Sequence, residues 1–193
     1  MINGHYYHSY DIPHHRNNSN WNIFVYPGPA CTWICRSPLG LDKWLPSGLF
    51  LTHYFPDDPI ESQEVNLASL VLGQNGIWGD LMGISEAGVE YIAGILGRYK
   101  KVRDAVAESD PVVTGLVSGS PEIHEKISAR TGQGVVALFA MAAGRYSYVT
   151  RNKVAAPMWK SEGVNIELDS AGCARVSFDF AKPGVKLLFF GKG

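Results

Sequence analysis

The 193-residue sequence predicts two kinds of structure in succession, an α/β segment followed by an all-β segment. Two observations carry this expectation. Up to Asp110, runs rich in β-branched and aromatic residues alternate with long amphipathic runs of helical period, the pattern of strand–helix units. From Pro111 onward the helical period disappears, and short apolar runs recur between turn residues to the end of the chain. Residues 1–110 therefore read as strand–helix units and residues 111–193 as a C-terminal antiparallel β-sandwich.

The elements follow in order. "WNIFVY" (Trp21–Tyr26) and "GLFLTHY" (Gly48–Tyr54) have strand composition and are bounded by Gly and Pro. A helix then starts at "DDPIESQ", where Asp58 can cap, Pro59 takes the first helical position and Glu61 follows three residues after the cap. Ile60, Leu67, Ala68 and Val71 keep helical spacing, and Leu70 and Leu72 extend the apolar surface around the helix, which predicts burial. "NGIWGDL" (residues 75–81) is a strand too short to stand alone. Next, Ser85 can cap a long helix with Glu86 and Glu90 near its positive end. Val89, Ile92, Leu96, Tyr99, Val102 and Val106 form its expected apolar stripe, and Asp110-Pro111 ends it. Beyond lie "PVVTGLV", "EIHEKISA", "VVALFAM", "RYSYVT", "VNIEL", "ARVSFDF" and "VKLLFF", divided by Gly-, Asp- and Pro-containing turns. In "RVSFDF" the alternation is clean, with Val176, Phe178 and Phe180 on one face.

Composition narrows the function. The chain is 46% hydrophobic and 18% charged, a globular profile, and its net charge of −1 argues against a nucleic-acid partner. The basic stretch Arg98 to Arg103 falls on the long helix and reads as a solvated face. No membrane partner is expected, since the run from Val135 to Ala143 is far short of the roughly 20 apolar residues a span needs. The opening "MINGHYYHSYDIPHHRNN" is polar, unlike a signal peptide, and no convincing acid or cysteine completes a metal site with its histidines His5, His8, His14 and His15, which read as a polar N-terminal segment. Cys31, Cys35 and Cys173 are odd in number and read as free buried thiols. No cofactor is expected: "GLVSGS" lacks the Lys-Ser/Thr of a phosphate loop, and no Gly-x-Ser-x-Gly elbow is present.

Two strand–helix units fit either the end of a doubly wound sheet or a barrel without its early strands. A strand–helix end with "NLASLVLGQNGIWGDL", a long helix containing "YKKVRD" and a compact terminal sandwich resembles the C-terminal part of a clan D glycoside hydrolase, the group that includes the α-galactosidases. The resemblance implies that residues 1–110 are the last units of a (β/α) barrel, with Gly48–Tyr54 as its seventh strand and Gly76–Trp78 as its eighth. It also implies a carbohydrate ligand and a retaining mechanism, whose two carboxylates stand about 5 Å apart in one assembled barrel. The nucleophile strand would then lie upstream of Met1. The stretch nearest the family's acid/base loop is "CRSPLGLDKW", with Arg36 and Asp42; it departs from the family's adjacent acids, and no catalytic residue is assigned.

Six residues are the candidate substrate-binding set: Arg36, Asp42, His53, Asp57, Trp78 and Asp80. His53, Trp78 and Asp80 fall at or just after the C-terminal ends of strands, where barrels meet ligands. Each has a plainer reading: Trp78 as a core anchor, Asp80 as support for the following helix start, and His53 as a satisfied structural histidine. The expected function is the C-terminal portion of a carbohydrate-active hydrolase, incomplete as a catalyst alone. One alternative is a non-catalytic carbohydrate-binding or scaffolding sandwich, using Tyr146, Tyr148 and Trp159 unless these pack in the core. A complete small enzyme of unrelated α/β fold is the other. Open barrel edges would favour a homodimer.

Overall fold

A computed structural model of the chain describes residues 23–25, 50–54, 60–73, 76–79, 81–116 and 119–192; for the first two stretches and Trp78 it is the backbone that is described. The chain divides into two compact units inside its long helix, Met1–Ala93 and Gly94–Gly193.

In the first unit, β1 (Ile23–Val25), β2 (Phe50–Tyr54) and β3 (Gly76–Gly79) form a parallel sheet in the order β1-β2-β3. Helix α1 (Ile60–Val71) connects β2 to β3, as a parallel pair requires. The predicted burial of α1 is observed: Leu67, Ala68 and Val71 are fully enclosed, and so are its polar Gln63, Asn66 and Ser69. Ser69 is satisfied within the helix, its hydroxyl donating to the Val65 carbonyl at 3.2 Å. The described strands make an α/β layer and do not close into a barrel. Asp58 and Pro59, as well as Cys31, Cys35 and the four N-terminal histidines, lie outside the described residues.

A short 3-10 turn (Leu81–Gly83) leads into α2 (Glu86–Glu108). The cap is as expected: Gly88 N–H donates to the Ser85 hydroxyl at 3.2 Å, and Val89 N–H to its carbonyl at 3.0 Å. Gly88 is a close approach, because a Cβ there would stand 2.4 Å from Gln63 Oε1 of α1. The expected apolar stripe is buried at Val102 and Val106 and half-buried at Ile92, Leu96 and Tyr99. Val89 is 49% exposed, whereas Ile95, Val102, Ala105 and Val106 are buried. The second half of α2 packs with the strands that follow, as Glu108 pairs with Arg130 at 3.0 Å and Val102 Cγ1 closes on Gly191. Compaction therefore divides the chain before the change of texture at Pro111.

Eight antiparallel strands make the rest of the second unit. A five-stranded sheet has the order β4 (Val112–Thr114), β5 (Glu122–Ile127), β6 (Gly134–Ala140), β11 (Gly184–Phe190) and β8 (Pro157–Lys160). A three-stranded sheet has the order β7 (Gly144–Val149), β10 (Ala174–Phe180) and β9 (Val164–Leu168). Strand β8 is the one not read from sequence. It opens on a proline at a sheet edge and bulges against Phe189 and Phe190, so it carries no alternation.

The two sheets face each other over one core. Ile123, Ile127, Val136, Leu138, Leu188 and Phe190 of the larger sheet meet Tyr148, Val164, Val176, Phe178 and Phe180 of the smaller. Strand β10 alternates buried and exposed as predicted, because its other face meets water. By contrast, every residue of β5 and β6 is buried, so the larger sheet is covered on both faces. Gly134 (φ 151°) lets β6 start hard against β5, since a Cβ there would fall within 2.0 Å of the Lys126 carbonyl.

Candidate functional site

Of the six sequence candidates, Arg36, Asp42, Asp57 and Asp80 lie outside the described residues. The structure brings the other two together. His53 and Trp78 are register partners in adjoining parallel strands, each one residue short of its strand's C-terminal end. Residues paired in register share a face of the sheet, so these two form one neighbouring pair at the edge from which α1 and the turn to α2 depart. That edge is where parallel α/β sheets carry ligands.

The sandwich holds two polar clusters that the sequence did not single out. Both come from β5, "EIHEKI", whose polar residues are all buried. Glu125 shares the inward face with Ile123 and Ile127. Its carboxylate accepts from the Tyr148 hydroxyl at 2.7 Å and, at 2.9 Å each, from Arg151 N–H, Asn152 N–H and Asn152 Nδ2. A buried carboxylate tolerates desolvation only when so fully bonded. Burial, and next the hydrogen bond to Glu125, raise the Tyr148 hydroxyl pKa well above 10.0. On the opposite face His124 Nε2 lies 2.7 Å from Glu122 Oε1, and the imidazole stands edge-on to Phe139. Glu122 is 0% exposed and His124 5%, so this pair braces the sheet rather than meeting a ligand.

The run of polar residues in "EIHEKI" was the available signal, but a solvent-facing strand carries the same residue types. Among the described residues no group of three His, Cys, Asp or Glu could hold a metal ion, and no helix is long and apolar enough to cross a membrane.

The three sandwich aromatics part company. Tyr148 is 7% exposed and bonded inward, so it is no binding surface. Tyr146 lies against Phe178 and Phe180, with ring centroids 5.8 and 6.1 Å away, and belongs to the core margin. Trp159 is half-buried on β8. The Arg98 guanidinium sits 4.7 Å from its ring centroid, and the Phe189 ring is 6.1 Å away. Arg98 is thus a packing cation rather than part of a solvated face, whereas Lys100, Lys101 and Arg103 are exposed as expected. Trp159 also lines an open cleft of about 420 Å³ with Pro157, Met158, Lys160 and Ile166.

No family model and no curated protein sequence matches the chain. Solved structures do. A substituted form of the GH36 α-galactosidase AgaA from Geobacillus stearothermophilus, in complex with raffinose, superposes with a TM-score of 0.56 at 13% identity. The GH36 α-galactosidase AgaB of the same organism gives 0.53 at 14%, and the α-galactosidase from Lactobacillus brevis 0.52 at 11%. In all three the match covers 81% of this chain and 24% of the other. The chain has the fold of the C-terminal part of a GH36 α-galactosidase and spans about a quarter of such an enzyme's length.

Proposed function

We propose that this chain is the C-terminal portion of a carbohydrate-active glycoside hydrolase of the α-galactosidase type. In this reading β1, β2 and β3 are the closing strands of a (β/α) barrel, residues 1–110 are its terminal units, and residues 111–193 are the sandwich that follows. The observation that carries the proposal is the parallel pair of β2 and β3, with His53 and Trp78 in register near their C-terminal ends, in a fold shared with α-galactosidases. Trp78 would stack on the apolar face of a sugar ring, and His53, Asp57, Asp80, Arg36 and Asp42 would hold its hydroxyls. The partner is a carbohydrate.

On this reading the chain binds but does not turn over substrate, because a retaining mechanism needs both carboxylates of one assembled barrel. The test is hydrolysis of aryl α-galactosides by the purified chain. No turnover above background is expected. Steady hydrolysis that vanished on a single change, Asp42→Asn or Asp80→Asn, would mean that the chain holds a complete site of its own and would overturn the proposal.

A further inference from the structure

We draw no further inference here: the strongest candidate, the open cleft of about 420 Å³ beside the edge strand β8, carries nothing, because the Trp159 ring that lines it is already covered by Arg98 and flanked by Phe189, and nothing in the structure shows what would occupy it.

Discussion

Glu125→Gln is expected to cost the chain a large share of its stability while leaving side-chain volume unchanged. The Glu125 carboxylate sits inside the sandwich and accepts four hydrogen bonds, one from Tyr148 and three from Arg151 and Asn152. An amide keeps one acceptor oxygen and replaces the other with a donor, so at least one of the N–H groups now faces an N–H. Hydrogen bonds to a charged group are each worth about 1.5–3 kcal/mol, and an unsatisfied buried group costs about 1–3 kcal/mol. Shared partners make these contributions non-additive, which puts the whole substitution at about 2–4 kcal/mol. That is a substantial part of the 5–15 kcal/mol typical of a domain.

Tyr148→Phe removes only one of the four bonds and should cost about 1.5–3 kcal/mol. The double variant should lose less than the sum of the two, because both changes break the same bond. Urea unfolding supplies the stabilities, read as a shift in midpoint at constant slope. Hydrogen exchange at the Arg151 and Asn152 amides gives the local readout, with protection falling in Glu125→Gln. A Glu125→Gln protein within about 0.5 kcal/mol of the parent, the scatter of ordinary surface changes, would refute the account of Glu125 as the buried anchor of this turn.

Two further outcomes follow from the same unit. Gly134→Ala should prevent or severely weaken folding of the sandwich, since the new methyl would meet the Lys126 carbonyl at 2.0 Å in a backbone region that side chains rarely adopt; circular dichroism and thermal melting check it. In alkali, the raised pKa of Tyr148 means that the unfolded chain releases this proton first, near pH 10.0, while the native chain retains it. The unfolded state then binds fewer protons, so stability is complete below that pH and falls above it, by about 1.4 kcal/mol per pH unit for one proton. Stability measured from pH 9 to 11 should decline less steeply in Tyr148→Phe, and equal slopes would contradict the assignment.

Local chemistry was legible wherever a residue's role is settled by its neighbours in sequence. Ser85 and its cap, the enclosed α1 and the alternation of β10 all depend on period and on residues within one turn. Failures occurred where a distant element decides the environment. Val89 has the right spacing for a buried stripe but is 49% exposed, whereas Val102 and Val106 of the same stripe are buried. Arg98 belongs by sequence to a charged run, yet Trp159, brought in by an edge strand some sixty residues on, turns it into a packing group.

The sequence by itself determined the succession of α/β and all-β structure and most of the element positions, because hydrophobic period and turn chemistry are local quantities. It also placed His53 and Trp78 near strand ends. Tertiary structure alone decided that these two are register partners, since pairing joins residues separated by a whole crossover helix. It decided as well that the charges of "EIHEKI" are interior, because whether a strand's polar residues meet water depends on what covers each face of its sheet.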